Sequence, residues 1–346
     1  MTAIFITGGN GFVGRHLVLA LQERGDQVRV LALPAEDTSW LEERGVTVYR
    51  GDVGRPESLV EPMRGVEQII HLAGMMDVWR PLDDYRAVNV TGTENVCRGA
   101  LAAQVRRIVH MSSSSVYGMG RGVPVHEDRP LAPFQDPYPI SKAEGDKMVQ
   151  QMIVEDRLPA VIIRPDQIFG PGDQLHFARM ADRVRARKAI IVGSGRNAVP
   201  FVYVTDVVRG LLLALDHERA AGQAYNITND QPLTQEQFLD AIAQEIGAPP
   251  PRVHVPYRAL YAAGYAAERL AILTHSWRRP PVTRLGAAFF GTDNRYAIDK
   301  ARRELGYAPQ VTLREGVRLA ACWYLDRHAS PGGTTPDLSP AAERVS

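Results

Sequence analysis

Short apolar runs alternate with amphipathic stretches through the first half of the chain. The runs are bounded mostly by Gly, Pro, Asp or Ser, as expected for strands buried on both faces of a parallel sheet. They predict strands at Ile4–Thr7, Gln27–Leu33, Val46–Tyr49, Gln68–Leu72, Arg107–Ser112 and Ala160–Arg164. The stretches between them predict helices that include Gly14–Arg24, Asp84–Ala103 and Ser141–Asp156. This alternation is typical of an α/β fold with a Rossmann-type doubly wound parallel sheet, which binds ligands at the carboxyl ends of its strands.

Beyond Gly170 the alternation becomes less regular. Two late runs, near residues 198–205 and 223–228, have the composition of strands, and we expect both to join the main sheet. Thr234 and Gln237 have the spacing of a capping box and predict the start of a helix there.

These patterns predict how the chain is divided. Residues 1–170 are expected to form a dinucleotide-binding domain. Residues 171–197 and 229–329 are expected to form a smaller, mostly helical C-terminal substrate lobe that could not fold alone. Residues 330–346 are rich in Gly, Pro, Ser and Thr, which predicts a disordered tail.

Composition and charge exclude several classes of function. The 346 residues are 45% hydrophobic and 23% charged, and 40 basic against 39 acidic residues give a net charge of +1. This balance gives no electrostatic reason to expect a nucleic acid or an anionic membrane as a partner. The apolar stretch Ala259–Leu273 contains Glu268 and Arg269 and is too short for a membrane span.

Cysteine and histidine usage favours a reducing compartment and no metal. The only two cysteines, Cys97 and Cys322, are far apart in the chain, so neither a disulfide framework nor a thiolate metal site is expected. His71 and His176 have no partners at ligand spacing. The N-terminus has no signal-peptide pattern, and we therefore expect a cytoplasmic protein.

A glycine-rich turn follows the first predicted strand. Gly8 permits a tight turn out of the strand, Gly11 allows the backbone to approach a pyrophosphate, and Gly14 allows the helix to pack close to the sheet. Phe12 and Val13 are expected cofactor contacts just before that helix, whose N-terminus offers free N–H groups and partial positive charge to phosphates. This segment is expected to bind a dinucleotide.

The ends of the third and fourth predicted strands are expected to complete the cofactor site. Asp52, followed by Val53, is placed to accept a hydrogen bond from the adenine amino group. Leu72, Ala73 and Gly74 leave room for the adenosine-side ribose and the phosphates to pass.

Candidate catalytic residues follow the fifth predicted strand. A serine cluster at residues 112–115 ends that strand, and Tyr138 and Lys142 lie four residues apart on one helix face. A free tyrosine has a pKa of about 10, and a nearby ammonium lowers the pKa by stabilising the phenolate. Such a phenol can exchange a proton with a carbinol or carbonyl oxygen.

These motifs together resemble the extended short-chain dehydrogenase/reductase superfamily, of the NAD-dependent epimerase/dehydratase type. The matching segments read TGGNGFVG, GDV, HLAG, NVTGTENV, SSSSVYG, YPISK, RPDQIFGPGD, FVYVTDVV and YNI. The resemblance implies Ser113, Tyr138 and Lys142 as the catalytic set, with Asn89 ordering the lysine through a water. It also implies cofactor contacts at Tyr138, Lys142 and Pro165. It further implies a homodimer that packs the helices of Asp84–Ala103 and Ser141–Asp156 into a four-helix bundle.

The closing segments of the chain are most similar to the 3β-hydroxysteroid dehydrogenase-like branch. The expected reaction is hydride transfer between nicotinamide and a secondary alcohol or ketone of an apolar substrate, steroid-like or 3-oxo acyl. A sugar-nucleotide epimerase or dehydratase with tightly held NAD is the alternative, and a non-catalytic NAD(P)-sensing protein is a second one. The expected substrate contacts are Met76, Ser114, Ser115, His176 and Tyr257, with Tyr261, Tyr265 and Leu270 beside the last.

Two questions remain open from the sequence. The segment Val30–Pro34 holds neither the acidic residue typical of NAD-dependent relatives nor the arginine typical of NADP-dependent ones. Arg15 is placed near a possible 2′-phosphate but is more simply a solvated helix residue, so NAD and NADP are not distinguished. A basic run from Arg179 to Arg196 either receives an anionic substrate or forms a solvated helix face.

Overall fold

The structure is a computed structural model that describes residues 2–231 and 233–329. The tail predicted at residues 330–346 lies outside the described residues. Within them, no helix combines the length and the hydrophobicity that a membrane crossing requires.

Eleven strands and thirteen α-helices follow one another along the described chain. The strands are β1 Ala3–Thr7, β2 Gln27–Ala32, β3 Thr47–Arg50, β4 Gln68–His71, β5 Arg107–Met111, β6 Ala160–Pro165, β7 Gln167–Phe169, β8 Ile191–Val192, β9 Phe201–Tyr203, β10 Ala224–Ile227 and β11 His254–Val255. The helices are α1 Phe12–Glu23, α2 Ser39–Glu42, α3 Glu57–Met63, α4 Leu82–Arg86, α5 Thr93–Ala102, α6 Pro137–Glu155, α7 Phe177–Arg185, α8 Val204–Asp216, α9 Gln235–Glu245, α10 Tyr257–Leu273, α11 Arg284–Gly291, α12 Asp299–Leu305 and α13 Leu313–Ala329.

Seven of the strands form one parallel sheet in the order β10-β6-β5-β4-β1-β2-β3. Strand β1 shows why helices cover both faces. Its residues alternate between two apolar clusters, with Ile4 and Ile6 in one and Phe5 in the other. Because both faces of the strand are buried, its sequence is a continuous apolar run. The predicted doubly wound α/β fold is confirmed.

The strand predicted near residues 198–205 does not join this sheet, which corrects that expectation. Both edges of β6 are occupied, by β5 and by β10. A further strand therefore cannot pair with β6, and β9 pairs instead with β7 in a separate two-stranded sheet. The other late strand, β10, joins β6 as expected.

The helix predicted over Asp84–Ala103 is present, running without a break from Leu82 to Ala102, but its middle is π-helical. A π-helical segment, Ala87–Gly92, separates α4 from α5. Helix α6 packs so closely there that a Cβ on Gly145 would collide with the carbonyl oxygen of Asn89. A π-helical turn inside a helix is often found at a functional site.

The C-terminal elements share the core of the sheet domain. One continuous apolar cluster joins Ile6 of β1 to Phe201 of β9, Phe238 of α9 and Trp323 of α13. The capping box expected at the start of α9 is present, with Thr234 and Gln237 as its two members. The two predicted lobes therefore share one hydrophobic core.

Candidate active site

A cleft of about 1590 Å³ opens at the carboxyl ends of β1, β4, β5 and β6. One end is lined by the glycine-rich turn and the strand ends that follow it, and the other by segments of the C-terminal lobe. The expected cofactor residues on the cleft wall are Gly8, Gly11, Phe12, Val13, Gly14, Asp52, Val53, Leu72, Ala73, Gly74, Tyr138 and Pro165.

The glycine-rich turn has the backbone geometry that its sequence predicts. Gly8 has a φ of +73°, in the left-handed region that favours glycine. Its carbonyl accepts a hydrogen bond from Gly11 N at 3.1 Å. A Cβ on Gly14 would collide with that same carbonyl oxygen. The turn is thus a cradle that side chains would fill, and it fits a dinucleotide pyrophosphate at the N-terminus of α1.

Asp52 stands at the expected adenine end with one carboxylate oxygen engaged. Its Oδ1 accepts a hydrogen bond from Gly54 N at 2.8 Å, and its backbone N–H donates to the Ser58 hydroxyl at 3.1 Å. These bonds hold the loop in place and leave Oδ2 available for an adenine amino group.

Arg15 is held in place beside the adenosine end, contrary to the expectation of a solvated helix residue. Its guanidinium donates to the backbone and side-chain oxygens of Asn10, both at 3.1 Å, and lies 5.2 Å from the centre of the Trp40 ring. Glu36 lines the same part of the cleft. With a cation and a carboxylate both present, this end is compatible with NAD and with NADP.

Tyr138 and Lys142 lie in the first turns of α6. The Asp136 carboxylate caps the helix by accepting a hydrogen bond from Tyr138 N at 3.2 Å, and Pro137 occupies the first helical position, where it fits best. Lys142 is buried, and its Nζ donates to the carbonyl oxygen of Met111 at 2.7 Å. The end of β5 therefore fixes the lysine below the cleft.

The environment tunes both groups. Burial raises the pKa of Tyr138, and its hydrogen bond with Ser113 acts in the opposite direction. Burial lowers the pKa of Lys142 to about 8, with the Asp146 carboxylate opposing the shift. The lysine charge therefore responds to pH just above neutrality.

Ser113 caps a single 3-10 turn, Ser114–Tyr117, that follows β5. Its hydroxyl oxygen accepts a hydrogen bond from Ser115 N at 3.2 Å. Ser113 and Tyr138 both line the cleft wall.

Asn89 lies in the π-helical segment and makes no direct hydrogen bond to Lys142. Its Oδ1 accepts from Met75 N at 2.7 Å, and its Nδ2 donates to the oxygens of Met75 and Ser141 at 3.0 and 2.9 Å. Gly74 lies between Asn89 and the lysine: a Cβ there would be 3.1 Å from Asn89 Oδ1 and 4.0 Å from Lys142 Nζ. The asparagine thus holds the loop after β4 next to the lysine.

A buried chain of hydrogen bonds joins the glycine turn to Asn89. The Thr93 hydroxyl donates to the Asn89 carbonyl at 2.9 Å, so His71 Nε2, 3.0 Å away, must donate to Thr93. His71 Nδ1 then accepts from the Thr7 hydroxyl at 2.6 Å, and Thr7 accepts from Ala73 N at 3.3 Å. Burial lowers the pKa of His71 to about 3, which keeps this neutral tautomer. Sequence reasoning identified only His71, as a single histidine without a partner at ligand spacing, and missed this series of hydrogen bonds.

A buried ion pair holds the catalytic helix against the sheet. Arg164 of β6 makes two hydrogen bonds to the Asp146 carboxylate of α6, each 2.8 Å long. Ser112 donates to the same carboxylate at 2.6 Å, and Arg164 also donates to the Tyr117 hydroxyl at 2.6 Å. Sequence reasoning missed Asp146 and Arg164 because a charge pair between two separate elements has no characteristic spacing along the chain.

The expected substrate residues are placed unequally. Met76, Ser114, Ser115 and His176 line the cleft. Tyr257 does not, which corrects that expectation.

Tyr257 packs against Gly291 of α11 and against Tyr261, with ring centres 5.8 Å apart. Leu260 is the α10 residue on the cleft wall. Tyr265 and Leu270 are exposed instead. Helical periodicity identified the apolar residues of α10. It did not show which of them face the cleft and which are exposed.

Comparison with known proteins gives the family. The profile of the NAD dependent epimerase/dehydratase family matches residues 4–228. The chain belongs to this family. It is an NAD(P)-dependent short-chain dehydrogenase/reductase, and its cofactor is NAD or NADP.

Relatives and solved structures cover nearly the whole chain. It is 34% identical to 2-alkyl-3-oxoalkanoate reductase of Stenotrophomonas maltophilia, over 91% of this chain and 97% of that protein. It is 31% identical to 3-beta-hydroxysteroid dehydrogenase of Mycolicibacterium neoaurum, over 93% of this chain and 91% of that protein. The fold is similar to UDP-glucose 4-epimerase of Thermotoga maritima, solved with UDP-glucose, with a TM-score of 0.77 at 22% identity over 95% and 100% of the chains.

Within residues 2–231 and 233–329, no three His, Cys, Asp or Glu side chains are grouped as a metal site requires.

Proposed function

We propose that this enzyme transfers hydride between NAD(P) and a secondary alcohol or ketone of an apolar substrate, with Tyr138 as the acid/base. The observation that carries the proposal is that Ser113 and Tyr138 lie on the wall of one cleft, which begins at the glycine turn, with Lys142 buried at the end of β5. A proton donor and an oxygen-orienting hydroxyl thus lie together, as carbonyl reduction requires.

Each residue has a separate task in this mechanism. The nicotinamide, when bound, supplies or accepts the hydride. Ser113 orients the substrate oxygen by a hydrogen bond, and Tyr138 gives a proton to that oxygen in reduction or takes one in oxidation. Lys142 stabilises the phenolate by its charge, and its bond to the Met111 carbonyl holds it in place. Asn89 is a positioning residue that acts through Gly74 and Ser141.

The cleft wall supports an apolar substrate. The C-terminal lobe lines it with Met180, Leu239, Leu260, Phe289 and Phe290. The two similar relatives described above are named for oxoalkanoate and hydroxysteroid substrates, which share a secondary alcohol or ketone on a hydrocarbon body. We infer the same substrate class here.

The oligomeric state is a further part of the proposal. The helices expected to form a dimer interface, α4, α5 and α6, pack against one another within the chain, and Arg86 of α4 pairs with Glu144 of α6 at 2.7 Å. We propose a homodimer built on these helices, which gel filtration at micromolar concentration would test.

The decisive experiment compares Tyr138→Phe with the wild type on a panel of secondary alcohols, with NAD⁺ and NADP⁺ in turn, by absorbance of the reduced nicotinamide. We expect loss of about 10²–10⁴-fold in turnover, with unchanged cofactor affinity and thermal stability. Wild-type turnover by the variant would refute the mechanism. Interconversion of sugar nucleotides with no net change in reduced nicotinamide would favour an epimerase, and tight cofactor binding without turnover would favour a sensor.

A further inference from the structure

Helix α10 is apolar on the side that the rest of the fold leaves exposed. On the packed side, Gly264 and Glu268 lie against the first residues of α11. A helix that is apolar on every side is normally buried on every side, yet no described residue covers the outer side of α10. Its exposed residues are Arg258, Ala259, Ala262, Ala263, Tyr265, Ala266, Arg269, Leu270, Ile272 and Leu273.

The largest apolar side chains gather at the C-terminal end of the helix. Leu273 is 77% exposed, Leu270 62% and Ile272 56%. Trp277, just beyond the helix, is 57% exposed. Exposed apolar residues scattered singly are ordinary, whereas a group of neighbouring ones marks a surface that binds another molecule. We call this group the α10 patch, and its members are Leu270, Ile272, Leu273 and Trp277.

The segment that carries the α10 patch is positively charged. Residues 257–292 contain five arginines and one acidic residue, Glu268. Glu268 is buried and pairs with Arg284 at 2.5 Å, and Arg279 pairs with Asp77. The near balance of charge over the whole chain therefore hides a local excess of positive charge. The remaining arginines of the segment are exposed, and they are Arg258, Arg269 and Arg278.

The α10 patch adjoins the rim of the cleft. The Trp277 ring lies 5.1 Å from the guanidinium carbon of Arg80, and Arg80 lines the cleft. Residues 279–283, which follow the patch directly, line the cleft as well. Arg80 and Arg279 are both exposed, so this part of the wall is the rim. An apolar molecule that leaves a hydrophobic phase at the patch thus enters the cleft over a short distance.

We propose that the α10 patch docks on the surface of an anionic lipid bilayer and brings the rim of the cleft to the membrane. Helix α10 then lies in the plane of that surface, with Leu270, Leu273 and Trp277 among the lipid headgroups and the upper acyl chains. Arg269 and Arg278 reach the lipid phosphates, because a long side chain can bury its apolar stem and keep its charge in water. This proposal goes beyond the proposed function and does not depend on which substrate is reduced.

A second copy of the chain fits the α10 patch less well. In a symmetric dimer the same face meets itself, so the arginines beside the patch would face arginines. Residues 257–292 have no exposed acidic residue that could balance them, and like charges brought together oppose association. Lipid phosphates supply the negative charge that a second copy lacks here.

The test is flotation of the full chain with lipid vesicles. We expect binding to vesicles of phosphatidylcholine mixed with phosphatidylglycerol, and at least about tenfold weaker binding to phosphatidylcholine alone. High salt should weaken the binding. Leu270→Gln/Leu273→Gln should weaken binding to the mixed vesicles at least about tenfold, because two apolar side chains no longer leave water. Arg269→Gln/Arg278→Gln should remove most of the preference for the mixed vesicles.

Val60→Gln/Val123→Gln is the matched control, because both valines are exposed and lie outside the α10 segment. This variant should bind vesicles as the wild type does. Since every substituted residue is exposed, urea midpoints should stay at the wild-type value. Turnover of a water-soluble secondary alcohol without vesicles should also stay unchanged. These two measurements separate a loss of docking from a loss of folding or of catalysis.

Three results would overturn the proposal. These are binding that is absent from the mixed vesicles or equal for the two lipid compositions, patch variants that bind as the wild type does, and a dimer that is lost in Leu270→Gln/Leu273→Gln while no vesicle binding occurs. The last would assign the patch to a second copy. None of these results affects the proposed function, which depends on turnover in solution and its loss in Tyr138→Phe.

Discussion

The two ends of the cleft are built from the chain in different ways. The cofactor end is made of residues that directly follow successive strands, such as Gly8 after β1 and Asp52 after β3. The substrate end joins Asp77, Arg179 and Arg279, which lie about a hundred residues apart from one to the next. Because parallel strands end at one edge of a sheet, the first arrangement follows from local pattern. The second depends on how distant segments pack.

This difference has a consequence for how each end tolerates change. At the cofactor end, the glycines of the turn lie against other backbone atoms, and these atoms cannot move aside. The substrate end is made mostly of side chains from helices and loops. We therefore expect steep losses from small substitutions at the first and graded changes in specificity at the second.

The largest expected effect on stability is at Gly14. A Cβ in Gly14→Ala would collide with the Gly8 carbonyl, so we expect a loss of about 1–3 kcal/mol in the free energy of unfolding and at least about tenfold weaker cofactor binding. Urea unfolding and fluorescence titration with NADH and NADPH measure the two.

Gly11→Ala is the matched control. Its Cβ would lie 3.3 Å from the Gly8 oxygen, and its φ of −74° suits alanine. Stability should be kept while the methyl group still blocks the approach of the pyrophosphate. Equal stability loss in both variants would contradict this account of the turn.

Lys142→Met tests the junction between the two ends. We expect turnover to fall by about 10²–10⁴-fold, with cofactor affinity affected less, because the lysine charge stabilises the phenolate that exchanges the proton.

The same variant has a signature in stability. The pKa of Lys142 is about 8 in the folded chain and about 10.4 when unfolded, so the unfolded chain binds more protons between these values. The free energy of unfolding of the wild type should therefore rise with pH in this window, by at most about 3 kcal/mol. Lys142→Met should lack that rise, and urea midpoints at pH 8 and pH 10 compare the two. Parallel pH dependences would show that the lysine is not desolvated.

The smallest effect is expected at the substrate end. Met76 is a partly exposed residue on the cleft wall, and Met76→Ala should cost about 1 kcal/mol of substrate binding, or roughly fivefold in KM. Cofactor affinity and stability should stay unchanged. Leu273→Ala, at an exposed position of α10 outside the cleft, serves as the control and should change neither KM nor stability. A change in cofactor affinity in Met76→Ala would mean that the two ends are not separable.

Much of the site was predictable because its chemistry lies in short segments. Each motif can be recognised within eight consecutive residues. This holds for the glycine turn, for the serine after β5, and for the pair Tyr138 and Lys142. Asn89 was identified by resemblance, but its contacts with Met75 and Ser141 were not, since nothing in the spacing links residues 14 and 52 positions away. For the same reason Tyr257 was predicted on the cleft and is absent from its wall.

The amino-acid sequence alone predicts the order of strands and helices, the cradle at Gly8 and Gly14, and the pairing of Tyr138 with Lys142 on one helix face. Periodicity and the steric limits of single residues act over a few positions and can be read directly. The packing of the folded chain places β9 outside the main sheet, links Thr7 to Thr93 through His71, and brings two arginines to Asp77. Those outcomes depend on which strand edges are already paired and on which side chains from distant segments pack together. Both are known only once the whole chain has folded.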